Sequence, residues 1–197
     1  MNNNVFLWLK LETGGLASIA DDGIKGSAEY PIFEVVAVVT DMELNEIDSL
    51  RKVVFQDEAN INRCHPDALR MHTQSGLLSE VEDSGYYLKD VEREVINLLT
   101  ECGAEPFSNH ASAVAVLAGQ NVNSHELQFV IEQMPALKRF LHFTTFDLAT
   151  MMMGESLWKP EAAQERASYN DWSDESPKAK VTRMIQNAKY FKNMFIK

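Results

Sequence analysis

Cysteine is nearly absent from this sequence. Only Cys64 and Cys102 occur in 197 residues, and neither stands at metal or redox spacing from the other. That excludes a disulfide-dense scaffold and a cysteine-rich metal site, and reduced thiols in a cytoplasmic compartment are expected. Positive charge is scarce too: 18 Lys and Arg face 29 Asp and Glu, for a net charge of -11. This argues against a protein that coats long nucleic acid through a broad basic face, yet leaves room for a pocket that takes a short oligonucleotide. Long apolar runs are missing. The run after Met1-Asn2-Asn3-Asn4 is short and is broken by Lys10, so neither a signal peptide nor a membrane span is expected. There is no internal repeat. The length suits one domain over 1–197 with a full-sized core.

What is present begins with Val5 to Leu16, a bulky apolar stretch that ends at Gly14-Gly15 and reads as a buried strand. Lys10 and Glu12 stand two apart near its end, so both side chains leave the same face. A salt-bridged strand end is the plain reading of the pair. Ala17 to Tyr30 reads as a loop, Pro31 to Asp41 as a second strand carrying Glu34, and Val53 to Gln56 as a short third strand. Residues 57–80 are irregular to helical. Ser84 is placed to cap a helix from Tyr86 to Cys102, with Leu88, Val91, Val95, Leu98 and Leu99 on one stripe. Ala111 to Ala118 is a buried strand by composition, and Ser124 opens a helix that stops at Met134-Pro135. A short strand over His142 to Phe146 and a helix over Asp147 to Met153 follow. Pro160 to Ser176 lacks apolar periodicity and reads as a long surface loop. Ser176-Pro177 then starts a final helix with Val181, Met184, Ile185, Ala188, Phe191 and Phe195 as its apolar face; Lys178, Arg183, Lys189 and Lys192 lie off that face and read as solvated. Strands and helices in this order predict a mixed α/β sheet covered by helices.

Taken together, these segments resemble oligoribonuclease, a member of the DEDDh 3′-to-5′ exonuclease family. The resemblance rests on Phe6 to Leu16, Glu34 to Asp41, His72-Thr73-Gln74-Ser75-Gly76-Leu77, Met134-Pro135-Ala136-Leu137, His142-Phe143, Asp147, Trp158-Lys159-Pro160 and the ending Phe195-Ile196-Lys197, in collinear order. It implies an α/β ribonuclease H-like exonuclease fold, a mixed central sheet flanked by helices. In such enzymes carboxylates hold two divalent cations, Mg²⁺ or Mn²⁺, that activate water and steady the leaving oxygen.

Against that family pattern the site is altered. The first Asp position is Lys10, whereas Glu12 is retained. The second Asp position falls on Glu126, the His position on Glu175 and the last Asp position on Lys180; no His follows His142. Asp171 or Asp174 is a stand-in acid only if its loop folds back. On the substrate side, His72 and Ser75 keep the family segment, the stacking aromatic position falls near Asp67, and the phosphate-binding arginine position falls on Thr144. An ammonium cannot ligate a cation and repels one at close range. Lys10 and Lys180 are therefore expected to take the place of the metals and neutralise Glu12 and Glu126, giving a pseudoenzyme that acts by binding a protein or nucleic-acid partner, without cofactor. Two alternatives stand beside it. One is an active exoribonuclease in which Glu12 and Glu126 hold Mg²⁺ or Mn²⁺. The other is a metal-free module in which the lysines bind the phosphate of a short RNA. The resemblance also implies a homodimer. His65, His110 and His125 carry no constellation, and Met151-Met152-Met153 reads as helix packing.

Overall fold

The computed structural model describes residues 4–18 and 23–196, with the backbone alone described at Ile196. The elements run β1 (Val5–Thr13), α1 (Gly26–Glu29), β2 (Ile32–Thr40), β3 (Glu46–Val53), α2 (Glu58–Ile61), α3 (Pro66–Gln74), α4 (Leu77–Asp83), α5 (Leu88–Glu101), β4 (Ala115–Gly119), α6 (Glu126–Gln133), α7 (Pro135–Phe140), β5 (Thr145–Asp147), α8 (Leu148–Trp158), α9 (Pro160–Ser168) and α10 (Pro177–Ile196). The strands form one mixed sheet in the order β3-β2-β1-β4-β5. β1 pairs antiparallel with β2 and parallel with β4. No helix of the described residues is long and apolar enough to cross a membrane.

β1 is central because it is apolar on both faces for most of its length. Val5, Leu7, Leu9 and Leu11 enter one core, with Val35, Ala37 and Val39 of β2, Val91 and Val95 of α5, and Phe129 and Val130 of α6. Phe6 and Trp8 enter the other, against Val181, Met184, Ile185, Ala188 and Phe191 of α10. Each fully buried leucine contributes on the order of 2 kcal/mol of transfer free energy. The Trp8 indole N–H donates to Thr40 Oγ1 at 3.0 Å, which satisfies the polar atom in this layer. Lys10 and Glu12 continue the face of Phe6 and Trp8, so the charges emerge where α10 begins.

The turn after β1 requires its two glycines by close approach. A Cβ on Gly14 would collide with the Cys64 thiol, and one on Gly15 with the Tyr30 ring. His65 N–H donates to Gly14 O at 2.8 Å, which fastens the start of α3 to this turn.

Several elements differ from the sequence reading, each for a physical reason. The third strand lies at Glu46–Val53, not Val53 to Gln56; it is the exposed sheet edge and carries no apolar run. Ser84 does not cap α5: its hydroxyl donates to Val53 O at 2.6 Å and accepts from Tyr86 N–H. Ser124 does not cap α6 but donates to Asn121 O, and His125 stands at the N-cap without a side-chain bond. α1 and α9 replace parts of the two loops. Of the first loop, residues 19–22 lie outside the described residues, as does Lys197 of the chain ending. α9 is held by Arg166, which donates to Glu155 at 2.6 Å and to Asn187 at 3.0 Å in a buried network rather than through an apolar stripe. Ser176 does cap α10, its hydroxyl accepting from Ala179 N–H at 3.3 Å. On that helix Phe195 is exposed, whereas Arg183 is buried, the reverse of the expected roles.

Candidate active site

A cleft of about 520 Å³ opens beyond the carboxyl ends of the parallel strands β1 and β4, where ligands bind in open α/β sheets. Its walls are the end of β1 from Lys10 to Thr13 with Gly15 and Leu16, Tyr30, the α3 side chains Asp67, Ala68 and Met71 with His65 before them, His125, and Lys180 of α10.

Two ion pairs cross the cleft floor. Lys10 Nζ donates to Glu126 Oε1 at 2.6 Å, and Lys180 Nζ donates to Glu12 Oε1 at 3.1 Å. The first pair is the more buried, with side chains 19% and 2% exposed against 28% and 12% in the second. Glu126 comes from the first turn of α6, and Lys180 from the first turns of α10, so helices on opposite faces of the sheet supply the partners of one strand. A carboxylate as buried as Glu126 needs such a counter-charge.

The loop before α6 is fixed by Asp147. Its carboxylate accepts from Asn121 N–H at 3.0 Å, Asn123 N–H at 3.3 Å and Ala149 N–H at 2.9 Å, so one side chain caps α8 and sets the entry to α6. Beside the floor, Glu12 stands opposite Glu34 in the β1–β2 register. Burial pushes the Glu34 carboxyl above the usual carboxylate range, while Arg51 beside it pulls the other way.

The other expected site residues are not at the floor. Glu175 is paired with Arg183 at 3.3 Å and is largely exposed. Arg183 also donates to Asp171 O at 2.9 Å and Asp174 O at 2.5 Å, and lies over the Trp172 ring at 5.0 Å. The segment before α10 is thereby fastened, and Asp171 and Asp174 stand outside the cleft lining. His72 is buried, with Nε2 at 3.0 Å from Thr13 O, and Ser75 donates to His72 O at 3.2 Å; both act within the α3 scaffold. Thr144 is away from the cleft lining, its N–H donating to His142 Nδ1 at 3.0 Å. Asp67 does line the cleft and pairs with Arg70 at 2.9 Å.

His125 has a constellation that the sequence reading denied it. Its ring lines the cleft, meets Phe129 edge-on at 5.2 Å, and neighbours the Lys10–Glu126 pair. Burial pushes its pKa down, as Lys10 does, against the pull of Glu126. Its position directly before Glu126 was the available signal. Among the described residues no group of three His, Cys, Asp or Glu side chains stands close enough to hold a metal ion.

No family model matches the chain. Among curated proteins, the oligoribonuclease of Streptomyces coelicolor is 31% identical over 161 residues, covering 81% of this chain and 72% of that one. The oligoribonuclease of Actinobacillus pleuropneumoniae is 23% identical over 200 residues, covering 100% and 96%. Among solved structures, product-bound exonuclease I has a TM-score of 0.66 at 15% identity, covering 96% of this chain and 43% of that one. E. coli exonuclease I with a dT13 oligonucleotide has a TM-score of 0.67 at 15% identity, with 96% and 41% covered. The chain thus spans about two fifths of the exonuclease I chains, and the likeness to them is one of fold. The sheet order, the cleft beyond β1 and β4, and the identity to the Streptomyces protein across most of both chains agree: the chain belongs to the oligoribonuclease family.

Proposed function

We propose that this oligoribonuclease-fold protein is silent in metal-dependent hydrolysis and acts by binding. The observation that carries the reading is the placement of Lys10 and Lys180 on Glu126 and Glu12. Hydrolysis by two metals needs converging carboxylate oxygens around the ions. Here each floor carboxylate is engaged by an ammonium, and the residues as arranged do not fit a divalent ion. At about 4 Å and an effective dielectric constant of about 20, each ammonium would oppose a divalent cation by roughly 8 kcal/mol. The active alternative, with Glu12 and Glu126 holding Mg²⁺ or Mn²⁺, needs a further acid; Glu175 is turned to Arg183 instead.

The bound partner we favour is a short oligonucleotide taken without metal. The cleft is large enough for a nucleotide and carries two ammonium groups beside apolar walls at Leu11, Leu16 and Met71. Exonuclease I is known with an oligonucleotide bound, which supports the same class of ligand for this fold. A homodimer is the further expectation; exposed Phe143 and Trp158 support it, and light scattering on the purified chain tests it.

The test is cleavage of a 5′-labelled RNA dinucleotide with Mg²⁺ and then Mn²⁺, beside a Glu12→Ala control. No turnover in either metal, with an intact fold by circular dichroism, is expected. Turnover that disappears in Glu12→Ala would overturn the reading and establish a rebuilt metal site.

A further inference from the structure

Between α8 and the buried part of α10 the chain is fastened chiefly by polar groups. Among the described residues from Ser156 to Lys180, Arg166 alone is buried, and Val181 is the first buried apolar residue of α10. Two arginines make the fastening. Arg166 reaches from α9 to Glu155 Oε2 of α8 at 2.6 Å and to Asn187 Oδ1 of α10 at 3.0 Å, with its guanidinium over the Phe191 ring. Arg183 reaches from α10 to the carbonyls of Asp171 and Asp174. Asn187, itself buried, joins the two clasps: its amide donates to Asn170 Oδ1 at 3.3 Å and to Arg183 O at 2.9 Å. A segment with so little buried apolar surface belongs to the least stable part of a fold. α9 has nine residues, too few to stay helical once it leaves its neighbours.

We infer that residues 159–176 form a strap that opens as one unit, and that its opening frees Lys180 from Glu12. The link to the cleft is the first turn of α10. Ser176 Oγ accepts from Ala179 N–H at 3.3 Å, and Ser176 O accepts from Lys180 N–H at 3.0 Å. Both acceptors belong to the end of the strap. Lys180 stands one residue before Val181, where the apolar docking of α10 begins, so the turn that aims its ammonium at Glu12 is held from the strap side. When the clasps release, Ser176 leaves, the N-terminal turn frays and the 3.1 Å pair loses its geometry. The Arg166–Glu155 pair thus governs a charge of the cleft floor that it does not touch. Closed, the strap keeps Glu12 neutralised; open, it leaves Glu12 without its counter-charge and Lys180 free. This gate is built from ion pairs and hydrogen bonds within the chain, so it stands whether or not the cleft takes an oligonucleotide.

The experiment pairs hydrogen exchange, read by mass spectrometry, with trace acetylation of lysines. It compares wild type, Arg166→Met, Arg166→Met with Glu155→Leu, and Glu165→Ala. The double variant removes the charge that Arg166→Met leaves buried, and Glu165→Ala alters an exposed α9 side chain that bonds only Tyr169. In both Arg166 variants the amides of α9 and of 169–176 are expected to exchange faster together, by at least about tenfold, the worth of one charge-assisted hydrogen bond. Acetylation of Lys180 is expected to rise relative to exposed Lys178, while β1, β2 and α5 exchange as in wild type. Glu165→Ala changes neither readout. The ratio of Lys180 to Lys178 separates the gate from a merely structural clasp. Acceleration confined to α9, or an unchanged ratio in both Arg166 variants, overturns the inference. Loss of the whole fold in both overturns it too, because Arg166 would then belong to the core and not to a strap.

Discussion

Lys10→Ala is the sharpest probe of the floor. It leaves the Glu126 carboxylate, 2% exposed, without its counter-ion at 2.6 Å. Removing one partner of a buried pair typically costs about 3–5 kcal/mol, because the remaining charge stays desolvated. For a chain of this length that corresponds to a fall in Tm of roughly 6–20 °C, taking about 2–4 °C per kcal/mol. Lys180→Ala serves as the internal comparison. Its pair with Glu12 is longer, at 3.1 Å, and both side chains are more exposed, so a loss near 1 kcal/mol is expected. Lys10→Met with Glu126→Leu removes both charges and should recover most of the stability that Lys10→Ala loses, since well-packed apolar replacements of buried pairs are often neutral. Thermal unfolding followed by circular dichroism, with urea titrations for the free energies, measures all three. A Lys10→Ala deficit no larger than that of Lys180→Ala would refute the reasoning, because burial would then not decide the worth of these pairs.

Four further outcomes are expected. Lys10→Asp with Lys180→Asp places four acids at the floor, and saturating Mn²⁺ should raise its Tm by several degrees while leaving wild type unmoved; about 2.7 kcal/mol is available at a hundredfold excess over Kd. Arg183→Ala frees the carbonyls of Asp171 and Asp174 and the Trp172 contact, so limited proteolysis should cut within 169–176 far faster than in wild type, at a stability loss of about 1–3 kcal/mol. Glu34 holds its proton more tightly in the fold than in the unfolded chain, so its contribution to stability falls as pH rises from 4.5 through the raised value. Arg51→Met removes the opposing pull, and its urea-unfolding deficit should be larger at neutral pH than below 4.5; an equal deficit at both would count against this sign. The Cys64 thiol, pushed up to about 11 by burial, should react with a thiol reagent at neutral pH only after denaturation.

What the sequence encodes locally and what the fold decides divide along a physical line. Local geometry was legible. The two-residue period of a strand puts Lys10 and Glu12 on one face, Ser176-Pro177 starts α10, and the apolar stripe from Val181 to Phe191 faces the sheet. Where packing forces are not apolar, the pattern was silent. α9 depends on a buried Arg166–Glu155 pair, and Arg183 is spent on carbonyl groups, so neither shows as a hydrophobic period. The partners at the floor lie 116 and 168 residues away in the chain, beyond any local rule. The sequence by itself determined that Lys10 and Glu12 leave one face of a strand end, and that no histidine follows His142. Only the tertiary structure decided that Lys10 meets Glu126, that Lys180 meets Glu12, that Glu175 is drawn away by Arg183, and that His125 opens on the cleft. The reason is that α6 and α10 are docked on opposite faces of the sheet by their apolar cores, and that docking sets which charge each side chain can reach.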